Sequence, residues 1–507
     1  MKTRKTLLTL AAASACLALA SCDSATPPPE AAQVSGYQYG QLAFEPCTLA
    51  SSAGVGSVQA RCTTFEVPEN PDDAGSRRIA LNIAWLPATD EGSEQADPVF
   101  FLAGGPGQSA VEVWPQVNPA FREVRRQRHV ILVDQRGTGG SNPLQCDRSG
   151  LADLDLEDPQ AREALAGLAR DCAAAVADRA DPRFYTTTVA VADLEAVRQA
   201  LGAPSVNLVG GSYGTRVAQQ YAATHPQHVR SLVLDGVAPN DVVLGGEFAH
   251  TFEEALRLHA SQCASLPSCA ERFPQDPRAQ LESLVTRLAQ APVEVDYRDP
   301  GSGEALKGRV DASTVTGLAF MFSYMPQTAA LLPIVLDEAA QGRYAPLKSL
   351  SELMARSTSG QMAGGMQWSV ICAEDADRYD EQAAQAEGTL LGPQVARLFF
   401  AACDAWPRGT RPEGFTAPLQ SDVPALLLSG QMDPVTPPRY AERVLEGLPN
   451  GRHLVLEGQG HGTFGLGCMP RLLGQFMEST DAGSLDATCR SSMTYVPPFT
   501  SFNGWEP

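Results

Sequence analysis

The chain has 507 residues, 44% of them hydrophobic, and a formal net charge of −20. Length and apolar content predict one large domain with an insertion, or two domains. No Lys/Arg-rich stretch follows the N-terminus, so a nucleic-acid partner is not expected, and the acidic balance reads as solubility.

Lys2, Arg4 and Lys5 precede an apolar run from Leu7 to Leu19, the pattern of an export signal. Leu19-Ala20-Ser21-Cys22 reads as a lipobox and resembles bacterial lipoprotein signals, in which the Cys becomes the first mature residue and carries the lipid. An ordinary secretory signal with a chance Cys is the alternative. The apolar run is shorter than the ~20 residues of a spanning helix. Residues 1–21 are thus expected to be a lipoprotein signal peptide, and 22–36, containing Pro27-Pro28-Pro29, a flexible tether. The mature chain would carry a formal charge of −23, held by lipid on the periplasmic or cell-surface face of a bacterial membrane. Of twelve Cys, Cys16 and Cys22 fall in these segments, and ten remain, an even number that suits disulfides. Nearest-neighbour pairing gives Cys47–Cys62, Cys146–Cys172, Cys263–Cys269, Cys372–Cys403 and Cys468–Cys489, with other connectivities left open. No C-x-x-C or H-x-x-x-H spacing points to a metal, and no cofactor is expected.

The short apolar runs Pro98 to Leu102 and Val130 to Val133 suit strands buried on both faces of a parallel sheet; Arg78 to Trp85 is a further strand-like run. A helical pattern follows at Ala190, Leu194, Val197 and Leu201. Val206 to Val209 then leads into Gly210-Gly211-Ser212-Tyr213-Gly214, and Val217, Ala218, Tyr221 and Ala222 continue as a helix. Val229 to Leu234 is another strand. Strands alternating with helices predict an α/β, mostly parallel, doubly wound core over 37–236. From Val237 to Met366 helical patterns dominate, as in Phe248 to Leu266, Arg278 to Ala291 and Gln327 to Gln341, and predict a mainly helical cap over 237–366. Strand patterns return at Val423 to Leu428 and His453 to Leu456, so 367–507 is expected to complete the core.

A strand, a sharp G-x-S-x-G turn and a helix form the nucleophile elbow of an α/β-hydrolase fold. Ser212 needs a base to take its proton, and the base needs a carboxylate to orient it. In that fold the order is Ser, acid, His. His453 opens a strand, whereas His461 lies in Gly458-Gln459-Gly460-His461-Gly462, just past the last one. His461 is therefore the expected base, and Asp433, in the loop after Leu426-Leu427-Leu428, the expected acid. An oxyanion needs preorganised donors. The Tyr213 N–H and one from Gly104 or Gly105, in Ala103-Gly104-Gly105-Pro106-Gly107, are the candidates.

Together Gly104-Gly105-Pro106-Gly107, Asp134-Gln135-Arg136-Gly137-Thr138-Gly139-Gly140-Ser141, Gly210 to Arg216, Asp433-Pro434-Val435-Thr436-Pro437 and Gly460-His461-Gly462 resemble the proline iminopeptidase and tripeptidyl aminopeptidase branch of the α/β-hydrolases. The resemblance implies a serine exopeptidase acting near the free N-termini of short peptides, with Ser212, Asp433 and His461 as its triad. The His that commonly opens the family's H-G-G-P-G is Ala103 here. An aminopeptidase also needs a carboxylate for the substrate ammonium, and Glu374 and Asp375 are the expected pair, with surface acids beside a disulfide as the alternative. A carboxylesterase or lipase with the same triad, and a non-catalytic binding lipoprotein, are the rival readings.

Overall fold

The computed structural model describes residues 36–51, 56–146, 160–358, 360–380 and 388–504. The expected signal peptide, the lipidation residue Cys22 and the tether up to residue 35 lie outside the described residues. The described strands are β1 Tyr37–Tyr39, β2 Leu42–Ala50, β3 Ser57–Pro68, β4 Arg78–Leu86, β5 Val99–Leu102, β6 Val130–Val133, β7 Val206–Gly211, β8 Val229–Asp235, β9 Val293–Arg298, β10 Ala305–Val310, β11 Ala425–Gly430 and β12 Gly451–Leu456. Ten of them form one sheet in the order β1-β2-β3-β4-β6-β5-β7-β8-β11-β12. The segment from β6 to β12 is parallel, and β1 to β4 extend it antiparallel.

The continuous apolar runs split cleanly between the two faces. Phe100, Leu102, Ile131, Val133, Leu208, Leu232, Leu234 and Leu427 join one core cluster. Val99, Phe101, Val130, Leu132, Val209, Val233, Leu426 and Leu428 join the other. Successive side chains point to opposite faces, so a strand covered on both sides must be apolar at every position. Helices supply both covers, and the architecture is an α/β-hydrolase fold.

Between β8 and β11 the chain leaves the sheet. Helices dominate there, including Phe248–Ser265, Pro277–Gln290 and Ala312–Ser323, and they enclose an apolar cluster of their own built around Phe252, Leu281, Leu284, Leu318 and Phe322. The stretch expected as one helix from Gln327 is two, Pro326–Ala329 and Leu332–Ala340. Pro333, which has no N–H to continue the first ladder, sits in the opening turn of the second. The antiparallel pair β9–β10 also falls inside this otherwise helical stretch. Five disulfides join the pairs named from sequence. Among the described residues no helix is long and apolar enough to cross a membrane.

Candidate active site

Ser212 sits between β7 and the helix Tyr213–Thr224 with φ 54° and ψ −124°. A positive φ is costly for any residue with a Cβ, and such strain persists only where neighbours enforce it. Here they do. A Cβ on Gly210 would collide with the Gly214 carbonyl, and one on Gly214 with the Leu102 carbonyl of β5. Only glycines allow the strand, the turn and the helix to pack this closely. The Ser212 N–H donates to the Asp235 carbonyl at 2.8 Å, and its carbonyl accepts from the Thr215 N–H and hydroxyl.

Asp433 follows β11 and His461 follows β12, at the carboxyl ends of neighbouring parallel strands, β11 lying beside β8. His461 Nδ1 lies 2.7 Å from Asp433 Oδ2. Asp433 is buried, and its Oδ1 accepts from the Val435 and Thr436 N–H groups at 2.9 and 2.8 Å. Burial by itself raises the Asp433 pKa, but the charge and hydrogen bond of His461 and those two amides bring it below the ordinary value. For His461, burial favours the neutral ring, yet the charge and hydrogen bond of Asp433, with Asp235 adding to them, hold its pKa above the usual 6.5. His453 is elsewhere, within β12, with Nε2 2.9 Å from Ser429 Oγ.

Asp235, at the end of β8, ties the two halves together. Its carbonyl holds the Ser212 N–H, while its carboxylate accepts from the Thr463 N–H and hydroxyl and the Phe464 N–H, just past His461. Gly236 follows, and a Cβ there would lie 2.9 Å from His461 Cε1. On the opposite side, a Cβ on Gly104 would lie 3.1 Å from Ser212 Cβ. Gly104 and the first residue of the elbow helix, Tyr213, therefore both flank the serine.

Glu374 and Asp375 are not positioned for a substrate ammonium. Both are fully buried. Glu374 accepts from the Thr187 N–H at 2.7 Å and its hydroxyl at 2.9 Å, and Asp375 pairs with Arg216 at 2.9 Å and with Arg378. These carboxylates neutralise an arginine of the elbow helix instead of facing a cleft, which corrects the expectation. One group of side chains with ligand-like spacing occurs among the described residues, Glu195, His225 and His228. The Glu195 oxygens already receive donors from Arg198, Gln199 and Tyr221, so its carboxylate is taken up by an ion pair and hydrogen bonds.

A family model described as the alpha/beta hydrolase fold matches residues 97–467. The chain belongs to the α/β-hydrolase family. Serine protease Hip1 of Mycobacterium tuberculosis is 27% identical to it over 409 residues, covering 75% of this chain and 77% of that protein. Carboxylesterase B of the same species is 32% identical over 231 residues, covering 41% and 43%. Tripeptidyl aminopeptidase of Streptomyces lividans is 28% identical over 188 residues, covering 35% of each.

In this α/β-hydrolase the helix start that follows the Gly104–Gly107 turn is anchored without a His at position 103. Asp134, at the end of β6, does it: one carboxylate oxygen accepts from Ser109 Oγ at 2.5 Å and the Val111 N–H at 3.0 Å, the other from Asn82 Nδ2 at 2.8 Å and the Gly140 N–H at 3.0 Å. All four partners are donors. Asp134→Asn turns at least one of these contacts into donor against donor, and unfolding titrations are expected to register a loss of about 1–3 kcal/mol. Thr436 is a further residue at this site that the motifs do not single out. Its hydroxyl donates to Asp433 Oδ2 at 2.7 Å and lies 3.1 Å from His461 Nδ1. The signal was present in Asp433-Pro434-Val435-Thr436, where a side chain three residues on can fold back over the acid.

Proposed function

We propose that this hydrolase is a serine exopeptidase, exported and lipid-anchored through Cys22, that cleaves peptide bonds near the free N-termini of short peptides. The observation that carries the reading is the His461–Asp433 contact beside a strained serine turn. His461 takes the Ser212 proton, and Ser212 Oγ attacks the scissile carbonyl. The N–H of Tyr213 and one from Gly104 or Gly105 stabilise the oxyanion. His461 then protonates the leaving amine, and a water activated by the same imidazole releases the acyl group. Asp433 fixes the tautomer with the proton on Nδ1 and stabilises the imidazolium. The peptide as substrate rests on the motif resemblance and on relatives named serine protease and tripeptidyl aminopeptidase. Five disulfides suit an oxidising compartment.

The relative named carboxylesterase keeps an esterase reading in view. Turnover of aminoacyl- and tripeptidyl-arylamides, with and without N-terminal acetylation, measured beside short acyl esters, separates the two. Ester turnover without amine-dependent amide turnover defeats the exopeptidase reading.

The base must be neutral to act. Because the His461 pKa is held above 6.5, the acid limb of the kcat/KM profile is expected to inflect above that value, and Asp433→Asn to shift it downward. An inflection at or below 6.5 in the parent enzyme would show that Asp433 does not hold the imidazole's pKa up.

A further inference from the structure

A row of aromatic rings runs from His461 into the segment between β8 and β11. Tyr324, the residue that ends the helix Ala312–Ser323, makes two contacts with the imidazole's residue: its carbonyl accepts the His461 N–H at 2.8 Å, and its ring meets the imidazole edge-on at 5.4 Å between centroids. Phe320 packs on Tyr324 at 5.4 Å, Phe248 on Phe320 at 6.0 Å, and Phe399 on Phe248 at 5.6 Å. Residues of a hydrophobic core are normally sealed, as Phe252 and Phe322 are close by. These four side chains are each only partly buried, so the row is not sealed as its neighbours are. The Tyr324 hydroxyl stays neutral, its pKa raised by burial and then by the charge of Asp433.

We propose that this row is the subsite for the substrate residue immediately after the scissile bond, and that it selects a large apolar, preferably aromatic, side chain there. The inference rests on the function proposed above. Its side follows from proton chemistry. The imidazole that removes the serine proton must deliver it to the departing amine, so the leaving residue lies over His461. Tyr324 packs on that imidazole, and Phe320, Phe248 and Phe399 extend away from it. Edge-to-face contact with one more aromatic ring completes the row.

The test walks a single Phe through an otherwise all-alanine hexapeptide amide, with kcat/KM and products followed by mass spectrometry. The rate is expected to peak when Phe directly follows the cleaved bond, by at least about tenfold over the all-alanine peptide. Phe320→Ala should collapse that ratio and Phe320→Leu recover part of it. A ratio within one preparation is insensitive to the fraction of folded enzyme. A flat profile, a peak with Phe before the bond, or an unchanged ratio in Phe320→Ala overturns the proposal. If no peptide is cleaved while a fluorophosphonate still labels Ser212, the exopeptidase reading fails on its own. Benzyl and methyl esters of one acyl group then test the same subsite: benzyl preference lost in Phe320→Ala supports it, and equal rates overturn it.

Discussion

In the Ser212→Ala variant, kcat on any substrate is expected to fall by about 10⁶, and fluorophosphonate labelling to vanish. The chemistry leaves no substitute nucleophile at that turn. Gly211 precedes Ser212 and the buried Tyr213 follows it, its hydroxyl 2.6 Å from Thr187 Oγ1 and 3.0 Å from Gln135 Nε2. His461→Ala should cost nearly as much, since an unassisted hydroxyl is a poor nucleophile at neutral pH, whereas Asp433→Asn should cost about 10⁴. The double variant of Ser212 and His461 should be hardly worse than either single one, because the two act as a unit. Rates are best read together with fluorophosphonate labelling, which reports the serine's reactivity independently of substrate choice. A Ser212→Ala protein that retained even a hundredth of parental turnover would remove the serine mechanism altogether.

Much of this arrangement is legible in the residues. The elbow can be read because its glycines answer to local backbone collisions, which a short stretch of sequence encodes. The adjacency of Asp433 and His461 follows from their places after consecutive strands, β11 and β12, once the sheet is recognised. Long-range side-chain partners are a different matter. Cys372-Ala373-Glu374-Asp375 announces two carboxylates near a disulfide, but nothing in that text says they are buried or that Arg216, more than 150 positions earlier, claims them. The contact of Tyr324 with His461 is equally silent, since it depends on how helices fold back over the sheet. Strands β9 and β10 are hard to read for another reason. The alternation Val293, Val295, Tyr297 against Glu294, Asp296, Arg298 is a period-two pattern, but it sits in a stretch dominated by helical spacing.

The Arg216 network supports the second large effect. Arg216 lies in the first turn of the elbow helix, fully buried, with Nη1 2.9 Å from Asp375 Oδ2 and 4.0 Å from Glu374 Oε2, and Nη2 donating to the carbonyls of Val242 and Pro239 at 2.6 and 3.2 Å. Arg216→Ala takes the buried guanidinium away from Glu374 and from Asp375, which keeps only Arg378, and removing one partner of such a group typically costs about 3–5 kcal/mol. Chemical unfolding at pH 7 is expected to show a loss of that size. Adding Glu374→Gln and Asp375→Asn should return part of it, because the buried charges that made Arg216 necessary are then gone. Glu374 also gives the network a pH signature. Burial foremost, with Asp375 adding, raises its pKa from 4.5 to about 7, against the pull of Arg216 and the Thr187 donors. A carboxyl whose folded pKa exceeds its unfolded value binds more protons in the native state. Its contribution to stability is therefore full below about pH 4.5 and disappears as pH rises through about 7. Glu374→Gln should flatten that portion of the stability profile, and an unchanged slope between pH 4.5 and 7 would show that the group titrates normally.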